Sequence, residues 1–120
     1  MRPINELNER LIYWQKRLRL QDWGVNIRLC HPDEIDAQGL SCIKVTSKSV
    51  KIKILDPKYF NDLDAEIICQ NWEITLIHEL LHLHFVTFDR IFDRDRDNTK
   101  DARDTVEQSI ELIAQALYAQ

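Results

Sequence analysis

The chain has 120 residues, 16 Lys and Arg against 20 Asp and Glu, a formal net charge of −4 and 44% hydrophobic residues. That is the length and apolar content of one ordinary domain, so residues 1–120 are expected to share a single core, and disorder, collagen-like and linker-like compositions are excluded. No apolar run approaches the roughly 20 residues that cross a bilayer, the first residues lack an export signal, and the acidic balance with interspersed basic residues argues against nucleic acid; a cytoplasmic chain with neither membrane nor nucleic acid as partner is expected.

Residues 4–20 place Ile4, Leu7, Leu11, Trp14 and Leu18 three and four apart, the stripe of an amphipathic helix. Its basic end, Lys16-Arg17-Leu18-Arg19, suits a helix C-terminus, and Trp23-Gly24 breaks the pattern. The period then changes to two. Val25, Ile27 and Leu29 alternate with Asn26 and Arg28, a second strand is predicted from Leu40 to Thr46, and Val50, Ile52 and Ile54 alternate with Lys51 and Lys53. Ser47-Lys48-Ser49 is the turn between the last two, so the sheet is expected to be small and at least partly antiparallel. The three cysteines, Cys30, Cys42 and Cys69, are odd in number and far apart, which indicates neither a disulfide framework nor a Cys-x-x-Cys site; they read as reduced, mostly core residues.

Asp56-Pro57 closes the strand region, and Asn61-Asp62 is the candidate cap of a long helix over about 62–88 whose later part is apolar on nearly every face, as in a helix buried between layers. Asp89 to Asp104, dense in Asp and Arg, reads as a solvated connector or a mobile flap over a cleft. A last helix over about 101–119 has Val106, Ile110, Ile113 and Leu117 as its core stripe.

The residues that carry chemistry are His78-Glu79-Leu80-Leu81-His82. Positions i and i+4 lie about 40° apart around a helix, so two imidazoles one turn apart can point at one ion, while Glu79 lies to the side and can reach a water on that ion without ligating it. Two histidines and a glutamate are costly to bury in such an apolar helix without partners, and a zinc ion would be that partner. Catalytic zinc sites have three protein ligands and an open fourth position. His84 lies about 160° from His82 around the axis and reads as structural; His31, isolated before Pro32, is a weak candidate. On the last helix, with Val106 at zero, Glu107 falls near 100°, at the border of the buried face, and Glu111 near 140°, which makes Glu111 the more exposed of the two. Glu107 is favoured as third ligand and Glu111 stays open.

With these residues in place, the sequence resembles a very small zincin metallopeptidase of the gluzincin type, with two His from His-Glu-x-x-His and a Glu from a downstream helix. It is similar to short phage-encoded metallopeptidases and more distantly to the ImmA/IrrE peptidases. The elements that carry the likeness are Asp22-Trp23-Gly24-Val25-Asn26-Ile27, Ile77 to Leu83 around the motif, and Glu107 to Ala114. The resemblance implies an α+β, zincin-like fold: N-terminal helix, partly antiparallel sheet of about three strands, buried active-site helix and C-terminal helix. It implies one zinc ion at His78, His82 and Glu107, Glu79 as general base, and hydrolysis of a peptide or protein substrate, in the cytoplasm of the host where the chain is phage-encoded. The chain is too short for the second subdomain of larger gluzincins, and no residue matches their oxyanion-stabilising His or Tyr; Tyr118, Arg103 and His31 are weak candidates. The alternative function is a non-catalytic, zinc-stabilised binding or regulatory module.

Overall fold

Leu7, Leu11 and Trp14 are buried on one side of the first helix, as their spacing requires, in a computed structural model that describes residues 3–35, 37–62 and 71–120. In chain order the elements are α1 (Pro3–Arg17), β1 (Gly24–Cys30), β2 (Gly39–Lys44), β3 (Ser49–Leu55), α2 (Trp72–Leu81), α3 (Val86–Arg94) and α4 (Lys100–Tyr118), with 3₁₀ turns at Pro57–Asp62 and His82–His84. The class is α+β, with a mixed three-stranded sheet.

The strands lie in the order β1-β3-β2, so β3 is central. β1 runs parallel to it, pairing Ile27 with Ile52, and β2 runs antiparallel, pairing Ser41 with Ile52 and Ile43 with Val50. The β2–β3 turn holds Lys48 at φ 48°, with the Lys48 N–H donating to the Val45 carbonyl at 3.2 Å. Burial follows the period of two. Val50, Ile52 and Ile54 are buried in β3, and in β2 the half-buried Gly39, Ser41 and Ile43 alternate with the exposed Leu40, Cys42 and Lys44. Cys30 is buried as expected, whereas Cys42 falls on the outer face of β2 and is exposed; Cys69 lies outside the described residues.

α2 touches α1, β2, β3 and α4, and Leu76, Ile77 and Leu80 are fully buried within that layer. Each such side chain contributes roughly 1.5–3 kcal/mol on leaving water. Its first turn is pinned to α1 by Glu73 Oε2, which accepts from Arg10 Nε at 2.8 Å and from Trp14 Nε1 at 2.7 Å.

The long helix expected over 62–88 differs from the one found. Asn61 and Asp62 end a 3₁₀ turn, residues 63–70 lie outside the described residues, and the motif helix begins at Trp72 behind Asn71, whose Oδ1 accepts the Glu73 N–H at 2.7 Å. It also ends early. The backbone tightens to 3₁₀ at His82–His84, Phe85 leaves helical geometry at φ −114° and ψ 15°, and α3 restarts at Val86. The Asp/Arg stretch read as a connector is therefore helical up to Arg94, and the turn proper is residues 95–99.

α4 also departs from its predicted stripe. Ile110 and Ala114 are fully buried, Val106 and Leu117 half-buried, and Ile113 is 40% exposed. The buried face is thus rotated by some tens of degrees at about 100° per residue, away from Ile113 and toward Glu107 and Glu111. The small Ala114 faces the core, where a larger side chain would hold the two helices further apart.

Candidate metal centre

His78 and His82 lie on one side of α2 and its 3₁₀ extension, with ring centroids 5.2 Å apart. The rotation of α4 brings two carboxylates to them. Glu107 lies between the rings, with Oε1 2.6 Å from His78 Nε2 and Oε2 3.2 Å from His82 Nε2. Glu111 takes the other side of His78, its Oε1 2.8 Å from Nδ1. Asp89 does the same for His82, with Oδ2 3.2 Å from Nδ1. A straight helix would place Asp89 about 10 Å along the axis from His82; the break at His82–Phe85 lets it turn back.

This pattern sorts the nitrogens. Both Nδ1 atoms are held by carboxylates and both Nε2 atoms face Glu107, so Nε2 is the atom each imidazole would offer to an ion. One donor atom from each of His78, His82 and Glu107 falls in a group whose members all lie within 4.8 Å of one another. Tetrahedral zinc with bonds of about 2.0–2.1 Å sets its ligands about 3.3 Å apart; the two imidazoles lie 2.6 and 3.2 Å from the two different oxygens of Glu107, and the one-atom-per-residue group spans up to 4.8 Å, so shifts of about 1 Å would bring the donors to that spacing. The donor set fits a divalent metal ion. Glu111, expected to be the more exposed carboxylate, is the less exposed, at 27% against 55% for Glu107. It orients His78 rather than joining the cluster.

The carboxylates favour positive charge on the imidazoles. Burial opposes protonation of His78, but the bond to Glu107, the charge of Glu79 and the bond to Glu111 outweigh it and raise the imidazole to about 9. His82 is also raised, burial being outweighed by Glu107, Glu79 and Asp89. The two imidazoles hold the Glu107 carboxyl well below the ordinary carboxylate range.

Glu79 points from α2 toward β2, where Ser41 Oγ donates to its Oε1 at 2.7 Å. Burial pushes its carboxyl above the usual range, against the Ser41 bond and the two imidazoles. β2 comes this close because of Gly39: a Cβ there would lie 2.6 Å from Thr75 Cγ2 and 3.0 Å from Glu79 Oε2. A cleft of about 680 Å³ opens beside Glu79, His82 and Glu107, walled by Gly39, Leu40, Ser41 and Ile43 of β2 and by side chains of α3 and α4.

The sequence pattern singled out His78, Glu79, His82 and Glu107, and the fold brings all four together. No local pattern marks the roles of Ser41, Gly39 and Asp89, since each acts on a residue of another element. His84 Nε2 lies 2.8 Å from the Leu18 carbonyl oxygen, away from the cluster. The exposed His31 accepts the Asp33 N–H at Nδ1, at 3.0 Å. Tyr118 Oη accepts from Asn71 Nδ2 at 3.1 Å, at the far end of α2, and of the three oxyanion candidates only Arg103 lines the cleft. No protein-family model, curated protein or solved structure matches the chain. No helix among the described residues is long and apolar enough to cross a membrane.

Proposed function

We propose that this chain is a zinc-dependent metallopeptidase, selective for a peptide or protein substrate. The observation that carries the reading is the convergence of His78, His82 and Glu107 beside a buried Glu79 that is hydrogen-bonded to the strand bordering the cleft. Two imidazoles and one carboxylate are a donor set that suits zinc. Zinc bound there supplies a Lewis acid that polarises a carbonyl and draws the pKa of water toward neutrality. The chain's own groups supply the remainder. Glu79 takes the proton of the attacking water and returns it to the leaving amine, and burial, by raising its carboxyl above the usual range, makes it a better proton acceptor than a solvated carboxylate. Ser41 holds Oε1, which fixes the orientation of the carboxylate. β2 is an edge strand beside the cleft, so an extended peptide can pair with its free main-chain groups. The gluzincin resemblance of the motif points to the same reaction class, by analogy.

The rival reading is a zinc-stabilised binding or regulatory module. Structural zinc sites are closed by four protein ligands. Glu111 and Asp89, the nearest further carboxylates, are held at the Nδ1 atoms, and the donor cluster has three members among the described residues. That supports an open fourth position and so favours hydrolysis. Glu79→Gln is expected to keep one zinc per chain while losing peptide cleavage, and His82→Ala to lose the metal. Zinc-free wild-type protein indistinguishable from His82→Ala would overturn the site.

A further inference from the structure

Five acids line the cleft: Glu79, Asp89, Asp93, Asp104 and Glu107. Each is already engaged. Glu79 accepts from Ser41, Asp89 lies on His82, Asp93 holds Arg96 at 2.9 Å, Asp104 holds Lys100 at 2.7 Å, and Glu107 spans both imidazoles. The arginines are not matched in the same way. Arg90, on α3, has no hydrogen-bond or ion-pair partner among the described residues. Arg103, on α4, uses one donor, Nη2 to the Arg96 carbonyl at 2.9 Å, and its Nε is buried with no acceptor among the described residues. A guanidinium carries five N–H donors in one plane, shaped for the two oxygens of a carboxylate. A buried donor without a partner is costly and calls for an explanation.

We infer that Arg103, assisted by Arg90, recognises a carboxylate, so that the peptide entering this cleft is selected for an acidic group. This rests on the reading of the cleft as a peptide site. Five acids against three arginines give no long-range attraction for an anion, so the selection is short-range. It comes from Arg90, which has no partner among the described residues, and from the part of the Arg103 guanidinium that lines the cleft, the buried Nε itself being out of a ligand's reach, and an amide isostere cannot replace the charge-assisted pair. The carboxylate has two sources, an Asp or Glu side chain or the C-terminus of the substrate.

The test uses the zinc-loaded full chain carrying Glu79→Gln, so that bound peptide is not consumed. Three labelled, N-capped hexapeptides serve as probes: one with a central Asp and an amidated C-terminus, its Asn isostere, and the Asn peptide with a free C-terminal carboxylate. One of the two acidic peptides is expected to bind at least about tenfold tighter than the neutral one, and which one does so identifies the source. Adding Arg103→Gln is expected to bring the peptides to within about twofold, with Arg90→Gln giving a smaller loss. Equal binding of all three, no binding of any, or a preference that survives both arginine substitutions together overturns the inference. Should Arg103→Gln fail to fold, the peptide comparison in the Glu79→Gln chain and the Arg90→Gln variant still decide. Cleavage by the wild-type chain is scored separately. Preference without cleavage sinks the peptidase reading alone, and cleavage without preference sinks the carboxylate site alone.

Discussion

At the scale of single residues, the site is a set of carboxylates with separate tasks. Glu107 faces both Nε2 atoms, while Glu111 and Asp89 hold the two Nδ1 atoms. Partners of that second kind fix the ring orientation, and losing one costs roughly 10–100-fold in metal affinity. Glu111→Gln is therefore expected to weaken zinc binding by about that factor without abolishing it, whereas Glu107→Gln is expected to abolish it; competition against a chromophoric chelator measures both. Protonation adds a second test. His78 is raised from 6.5 to about 9, so in the metal-free protein its contribution to stability is complete below pH 6.5 and disappears as pH rises through about 9. Glu107 is shifted the other way, so its contribution is present above its ordinary value of 4.5 and is lost as the pH falls through its depressed folded value. Denaturation of the protein in EDTA is expected to show stability falling by on the order of 2–3 kcal/mol between pH 6.5 and 9. Zinc affinity is expected to rise over the same interval, because the metal takes the place of the protons. Stability in EDTA that rises across this interval would contradict the arrangement of His78 between two carboxylates.

At the scale of elements, the site depends on how closely β2 and α4 approach α2. The β2 approach is set at Gly39, where an added methyl would press into Thr75 and the Glu79 carboxylate. Gly39→Ala is expected to cost about 1–3 kcal/mol by overpacking. Because Gly39 lies against Glu79 and not against the histidines, zinc stoichiometry should be retained while cleavage falls. Chemical denaturation and metal analysis on one preparation check both halves. On the other side, Ala114 does for α4 what Gly39 does for β2, by being small where two elements press together. Some of this was legible beforehand. Strand alternation placed β1, β2 and β3 within one or two residues of their ends, and the i, i+4 histidines were marked by spacing alone. Hydrophobicity alone puts Ile113 rather than Ala114 on the α4 stripe, while close helix packing favours the smaller side chain.

At the scale of the whole molecule, an ion at the cluster would join α2 to α4 across the side of α2 that the sheet does not cover. Anything that binds only the folded state stabilises it by mass action, about 2.7 kcal/mol at a hundredfold excess over the dissociation constant. For a domain of this size that corresponds to a rise in melting temperature on the order of 10 °C. EDTA is expected to lower the melting temperature of wild-type protein by such an amount, reversibly on adding zinc, and to leave His82→Ala unchanged. Scanning calorimetry measures this, and an EDTA-insensitive wild type would show that no metal links the two helices.

What the sequence by itself determined is local: where chain periodicity changes from helix to strand and back, and that His78, Glu79 and His82 share one turn of helix. Those facts follow from backbone geometry over a few residues, so spacing suffices to read them. What only the tertiary structure decided is which distant groups meet. Ser41 reaches Glu79 because β3 stands between β1 and β2 and Gly39 lets β2 close on α2. Asp89 reaches His82 because the helix breaks at Phe85, and Glu111 turns inward because α4 packs on Ala114. Each of these is a distance between segments far apart in the chain, set by how side-chain volumes fill the space between elements, and no pattern within a single segment encodes it.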